Sequence, residues 1–168
     1  MACSTIHTMV AQLSKRHRTN CPDELAQCLG INVRYDDLGS LKGLYTVIDG
    51  CRFILVNNRL EEEMQNVVIA HEIGHDQLHR QLAQNENFQE FSLFDMTSKP
   101  EKEANIFAAN LLISDDDVLE NARCGYSTED IAKILSVPHA LLVIKMMNMN
   151  TRNYKFNIPF IPRADFLG

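Results

Sequence analysis

The chain of 168 residues lacks the patterns that mark several large classes of protein. Its five cysteines are scattered and odd in number, and they form no CxxC pair, which indicates neither a disulfide framework nor a thiolate zinc site. No apolar run has the form of a signal peptide or the roughly 20 residues of a membrane span. We therefore expect a cytoplasmic protein with reduced thiols that does not associate with membranes.

Positive charge is also scarce. The 22 acidic residues outnumber the 16 lysines and arginines, and the net charge is −6. Sequence-independent binding to nucleic acid depends on Lys and Arg meeting phosphate, so we expect no direct nucleic-acid binding. Hydrophobic residues make up 45% of the chain, which argues against wholesale disorder.

Strand signals precede an amphipathic helix near the middle of the chain. The stretch INVRY is typical of a strand, and GLYTVIDGCRFILVN is typical of a β-hairpin that turns at Asp49-Gly50. The next helix has a stripe at helical spacing, which places its histidines on the buried face. That stripe contains Met64, Val67, Val68, His71, His75, Leu78 and Leu82. With a further helix opening at Pro100, these elements predict an α+β fold.

His71, Glu72 and His75 form the pattern H-E-x-x-H on this helix. Residues at i and i+4 lie on one face, so both imidazoles can approach one ion at about 2.0–2.1 Å. Glu72 is rotated by about 100° and can take a proton from metal-bound water. Burying these three polar side chains is costly unless a metal pairs them. The alternative is that both histidines are core residues bonded to backbone carbonyls.

A catalytic zinc site needs a third protein ligand and one open position. His79, one turn further along the same helix, is interpreted as a supporting or core residue. The next predicted helix offers two carboxylates, Glu101 and Glu103. We favour Glu101 because it shares a face with Asn105, which could accept the remaining ring proton of a histidine ligand. Against this, Ser98 gives Glu101 the spacing of a capping box.

The stretch HEIGHDQLH followed by EKEANIFAANLLI resembles the ImmA/IrrE family of zinc metallopeptidases. The likeness covers about Val33 to Ile113 and extends toward Met147. One departure is Ser114, which stands where the family often has proline.

The resemblance implies His71 and His75 as metal ligands, Glu72 as the catalytic base and Glu101 as the third ligand, with Asn105 supporting a histidine. The cofactor is then Zn²⁺, although the same ligands do not exclude manganese or iron.

We expect a zincin-like metallopeptidase, in which a small mixed sheet with its β-hairpin packs on the H-E-x-x-H helix. The length suits a single metallopeptidase domain over 1–168. Within it, N-terminal helices fill 1–30, the catalytic core spans 31–113, and C-terminal helices with an extended tail fill 114–168.

Family members are typically encoded beside a helix-turn-helix repressor on phages or conjugative elements, and they cleave it to relieve repression. The resemblance implies the same partner here, a helix-turn-helix repressor encoded nearby, and an endopeptidase of narrow specificity. We expect the substrate to lie extended beside an exposed strand, with Arg52 to Val56 as the candidate edge. The loop from Gln81 to Lys99 is expected to gate the cleft.

Two other classes of function stay open. The stretch STEDIAKILSVPHALLVIKMM resembles a helix-turn-helix, which would suit a DNA-binding transcriptional regulator. Its second helix, however, offers one lysine and a largely apolar surface where a recognition helix needs groups for base edges. The other class is a metal-binding protein that binds its partner without cleaving it.

Overall fold

The computed structural model describes residues 3–80 and 96–158. Within them, three strands and seven helices follow one another along the chain. These elements are α1 (Cys3–His17), α2 (Pro22–Cys28), β1 (Ile31–Asp36), β2 (Gly43–Ile48), β3 (Cys51–Asn57), α3 (Glu62–His79), α4 (Lys99–Leu112), α5 (Asp115–Arg123), α6 (Thr128–Ile134) and α7 (His139–Asn150). This mixed architecture confirms the α+β class. Most of the predicted gating loop, residues 81–95, lies outside the described residues.

Strands β2 and β3 form the predicted hairpin, with its turn at Asp49 and Gly50. Both turn residues have positive φ, 49° and 77°, as a type I′ turn requires. This backbone matches the twist of the flanking strands, which explains the Asp-Gly dipeptide.

Strand β3 lies in the centre of the sheet, because β1 pairs with it in parallel and β2 pairs with it antiparallel. The prediction that Arg52 to Val56 forms the open edge is therefore wrong. Both sides of β3 are occupied by neighbouring strands, so its backbone groups are used within the sheet. The edge strand that lies against α3 is β2.

Helix α3 packs closely on α4 because Gly74 faces that helix. A Cβ atom at Gly74 would lie 3.0 Å from the Ala104 Cα and 3.1 Å from the Phe107 Cβ. The close approach brings the first turns of α4 beside the middle of α3, where the histidines lie.

Helix α7 belongs to the core of the protein, whereas α6 buries only Ile131 and Ala132. Most residues of α7 are buried. They are Ala140, Leu141, Leu142, Val143, Ile144, Lys145, Met146, Asn148 and Met149. A helix with this burial cannot enter a DNA groove, so the DNA-binding alternative is not favoured. No helix in the described part of the chain is long and apolar enough to cross a membrane.

Candidate metal centre

Helix α3 carries two adjacent pairs of polar residues inside the core. His71 and His75 are one pair at i and i+4, and Glu72 and Asp76 are a second pair, rotated by about 100°. All four are at most 2% exposed. The histidine pair faces α4, where it meets Glu101, and the carboxylate pair faces β2.

Three possible ligand atoms converge from His71, His75 and Glu101. The Nε2 atoms of the two histidines are 3.0 Å apart. The Glu101 carboxylate oxygens lie 3.2 Å from the Nε2 of His71 and 3.3 Å from that of His75. Two ligands on a zinc tetrahedron with bonds of about 2.0–2.1 Å are about 3.3 Å apart. All three distances are close to this value, and the two contacts of Glu101 use different oxygens, Oε2 toward His71 and Oε1 toward His75.

The other candidate carboxylate, Glu103, faces a different histidine. Its Oε2 lies 2.9 Å from the Nε2 of His79. The ring of His79 is 5.6 Å, centroid to centroid, from that of His75, and His79 is outside the three-residue cluster. The geometry therefore favours Glu101 over Glu103, and it places His79 in a supporting position.

The start of α4 explains how Glu101 reaches the histidines. Ser98 caps the helix, and its hydroxyl accepts the Glu101 backbone N–H at 3.3 Å. Only one of the two hydrogen bonds of a capping box is therefore formed, since the Glu101 carboxylate turns toward the histidines and not back to Ser98. One turn further, the Asn105 Oδ1 lies 2.9 Å from the Nδ1 of His71. That bond places a proton on Nδ1 and leaves the Nε2 lone pair directed at the cluster.

Burial shifts the pKa values of the cluster. It raises the pKa of Glu72 to about 7, against the opposing effects of His71 and of the Tyr45 backbone N–H. It also lowers the pKa of His75 to about 4. Burial opposes ionisation of Glu101 as well, but contacts with both histidines outweigh it and hold that pKa below its ordinary value.

The cluster suits a divalent cation on chemical grounds. Two buried carboxylates, Glu72 and Glu101, form no ion pair with any Lys or Arg of residues 3–80 and 96–158. The Glu72 Oε2 is buried without a hydrogen-bond partner among the described side chains and backbone. Buried carboxylates need a counter-charge, and two imidazole nitrogens with a carboxylate oxygen are a donor set that zinc prefers.

The edge strand β2 lies directly against Glu72. The Tyr45 backbone lies close enough to the Glu72 carboxylate to lower its pKa. A Cβ at Gly43 would lie 2.2 Å from Val68 Cγ1 and 3.5 Å from Glu72 Oε1, so only glycine permits this approach. The sequence analysis missed both residues of β2, because their role depends on how the sheet is ordered.

Asp76 is a further residue that the sequence analysis missed. Its buried carboxylate accepts hydrogen bonds from the Tyr45 hydroxyl and from the guanidinium groups of Arg52 and Arg80. Burial alone would raise its pKa, but these donors outweigh burial and lower it. The available signal was its spacing, four residues after Glu72 on the same helix.

Comparison with known proteins decides the family. A family model described as the IrrE N-terminal-like domain of the M78 peptidases matches residues 26–147. The chain belongs to the ImmA/IrrE family. This family is one of metallopeptidases, so the predicted resemblance is confirmed together with that general activity.

Two relatives of this ImmA/IrrE protein cover most of its length. It is 34% identical over 141 residues to "Uncharacterized immunity region protein 2" of Bacillus phage phi105, and the aligned region spans 83% of this chain and 88% of the relative. It is 28% identical over 145 residues to "Metallopeptidase ImmA" of Bacillus subtilis (strain 168), which spans 84% of each chain. The family match begins in α2 and ends within α7, so it includes the whole sheet and the helices α3 to α6.

Proposed function

We propose that this metallopeptidase is a zinc-dependent, zincin-like endopeptidase of narrow specificity that acts in the cytoplasm. His71, His75 and Glu101 hold the zinc, and Glu72 is the general base. The observation that carries this proposal is the convergence of His71, His75 and Glu101, each of which places a ligand atom within 4.8 Å of the others. The Nε2–Nε2 distance of 3.0 Å and the nitrogen–oxygen distances of 3.2 and 3.3 Å are close to the ligand spacing of a tetrahedral zinc site.

The residues at this site have different roles in the proposed reaction. When bound, zinc supplies Lewis-acid polarisation of the scissile carbonyl and lowers the pKa of a water molecule. The Glu72 carboxylate takes the proton of that water and passes it to the leaving amine. Asn105 holds His71 in the tautomer whose Nε2 faces the cluster, through the 2.9 Å contact with Nδ1.

The substrate is proposed to pair with β2, in place of the central strand β3. The Asn57 N–H donates to the Lys42 carbonyl, and bonded and non-bonded pairs alternate from there along the hairpin. The outward backbone groups then belong to Gly43, Tyr45 and Val47. An extended substrate can therefore bond to β2 while its backbone passes Glu72.

We propose a helix-turn-helix repressor of a phage or other mobile element, encoded near this chain, as the substrate. The name of the phage relative refers to an immunity region, and a second relative is named as the metallopeptidase ImmA. Cleavage of the repressor would relieve repression. The buried position of Glu72 restricts access to the site and suits an enzyme with one partner.

The test is to incubate the zinc-loaded chain with the repressor encoded beside it and to follow fragments by mass spectrometry. We expect the wild type to give two fragments. Glu72→Gln should keep one zinc per chain and slow cleavage about a thousandfold, since only the proton transfer is removed. Glu62→Gln is the matched control, because Glu62 is an exposed glutamate on the same helix.

Two results would overturn parts of this proposal. Cleavage by Glu72→Gln at the wild-type rate would show that Glu72 is not the base. A wild-type protein that holds zinc and binds the repressor without cutting it would support the class of non-cleaving metal proteins.

A further inference from the structure

Asp76 is a buried carboxylate beside the candidate metal centre but outside its set of ligand atoms. Its Oδ1 accepts the Tyr45 hydroxyl at 2.6 Å. The Arg52 guanidinium donates to both oxygens, at 3.1 and 3.0 Å. Its Oδ2 also accepts Gln77 Nε2 at 2.6 Å and an Arg80 nitrogen at 2.9 Å. Two guanidinium groups thus supply the counter-charge that a buried carboxylate requires.

The donors to Asp76 connect three parts of the fold. Tyr45 comes from the edge strand β2, and Arg52 comes from the central strand β3. Arg52 also donates to the Leu29 carbonyl at the end of α2. The sheet and α2 are therefore fastened to α3 at a single side chain, one residue after the candidate ligand His75.

Tyr45 meets α3 beside the candidate base. Its hydroxyl donates to Asp76 at 2.6 Å, and its backbone lies near the Glu72 carboxylate, whose pKa it lowers. Glu72 and Asp76 are four residues apart and lie one above the other, about one helical turn of 5.4 Å apart. The bond of the Tyr45 hydroxyl therefore fastens β2 to the turn of α3 that follows Glu72.

An edge strand needs such a fixing point, because it has a ladder of hydrogen bonds on one side only. The contact of Gly43 with Val68 limits how close β2 can come to α3. That contact is apolar and gives no preference for one position along the helix. The hydrogen bond of the Tyr45 hydroxyl with Asp76 is directional and sets this position.

We infer that Asp76 is a positioning residue that acts through the Tyr45 hydroxyl to hold β2 in place for the substrate. This inference rests on the proposed function, since β2 is the strand with which the substrate is proposed to pair. Loss of the hydroxyl bond weakens the alignment of the substrate on β2. The contacts that join His71, His75, Glu101 and Asn105 do not pass through Tyr45, so the candidate metal site keeps them.

Tyr45→Phe tests this inference more cleanly than a change of Asp76, which would leave the guanidinium groups of Arg52 and Arg80 without their carboxylate partner. The matched control is Tyr35→Phe. Tyr35 lies on the opposite edge strand, β1, and its hydroxyl also meets an aspartate, with both Asp23 oxygens at 3.0 Å. Tyr35 is 48% exposed and its bond is at the surface.

The variants are compared as zinc-loaded full chains in repressor cleavage, in zinc content and in amide hydrogen exchange. For Tyr45→Phe we expect KM to rise about tenfold while kcat changes less than about threefold. Exchange in Gly43–Ile48 should quicken about tenfold, and the zinc content should stay at one per chain. Tyr35→Phe should match the wild type in KM, in zinc content and in exchange of β2.

Two outcomes would overturn the inference. One is a Tyr45→Phe variant that equals Tyr35→Phe in KM and in exchange of β2. The other is loss of zinc in parallel with loss of cleavage, which would assign the contact to the metal site. Hydrogen exchange is measured without substrate. If the wild type cleaves nothing, the proposed function fails, and unchanged exchange in β2 still decides against the positioning role.

Discussion

Two buried polar clusters lie toward opposite ends of α4, and they balance charge in different ways. Near its start, Glu101 meets two histidines, with no Lys or Arg paired to it in the described part of the chain. Beyond its end, Asp115 meets Lys145 at 2.7 Å and also pairs with Arg152. The first cluster is rich in acceptors and lone pairs, whereas the second contains its own cations.

The pKa values reflect this difference. Burial raises the pKa of Glu72 to about 7, which favours its neutral form in the absence of a cation. Burial would also raise the pKa of Asp115, but Arg152 and Lys145 outweigh it and lower that pKa to about 2. The Asp115 carboxylate thus has its cations within the fold, whereas Glu72 has no Lys or Arg paired to it in the described part of the chain.

The largest expected effect is on the zinc affinity of Glu101→Gln. Removing a supporting contact of a metal ligand typically costs 10–100-fold in affinity, so removing a ligand should cost about a hundredfold or more. Competition with a fluorescent zinc chelator measures the dissociation constant. Glu103→Gln is the matched control and should bind zinc as the wild type does. Equal losses in the two variants would contradict the assignment of Glu101.

The second effect is on stability, through Asp115→Asn. This change leaves the Lys145 ammonium, which is 1% exposed, without its carboxylate partner. We expect the free energy of unfolding of the metal-free protein to fall by about 3 kcal/mol at pH 7, measured in urea. Asp116→Asn is the control, because Asp116 is exposed on the same turn.

The pH dependence sharpens that prediction. The folded pKa of Asp115, about 2, lies below its ordinary value of 3.8. Its stabilising contribution is therefore complete above pH 4 and is lost as the pH falls from about 4 to about 2. The stability difference between wild type and Asp115→Asn should shrink over this range. A difference that stays constant from pH 7 to pH 2 would show that the carboxylate charge is not responsible.

The smallest expected effect comes from Gly74→Ala. The added Cβ would lie 3.0 Å from Ala104 Cα and must push α3 and α4 apart. Overpacking should cost about 2 kcal/mol, while alanine returns about 1 kcal/mol of helix propensity. The net loss in the free energy of unfolding should be about 1 kcal/mol, with weaker zinc binding. A variant more stable than the wild type with unchanged zinc affinity would refute the role given to this contact.

Local signals in the sequence were sufficient for much of this fold. Asp49-Gly50 predicted the hairpin, and the spacing of His71, Glu72 and His75 predicted one buried face of a helix. The choice of Glu101 over Glu103 also followed from local spacing, because Glu101 shares its face with Asn105. The structure brings Glu101 and both histidines together, while their roles as ligands stay a prediction.

Long-range pairing was the main source of error. The parallel pairing of β1 with β3 joins strands that are not neighbours in sequence, and no local pattern specifies it. A signal was present in the unbroken apolar run Phe53–Val56, since a strand covered on both faces often lacks alternation. Asp76 was missed because its partners Tyr45 and Arg52 belong to the sheet, whose order was not known.

X-ray absorption at the zinc edge of the stoichiometrically loaded protein tests the central claim most directly. We predict one zinc per chain with two imidazole nitrogens and carboxylate or water oxygens at about 2.0–2.2 Å, and no sulfur at about 2.3 Å. A spectrum with a single imidazole or with a sulfur ligand, or a protein that takes up no stoichiometric zinc at neutral pH, would contradict the claim.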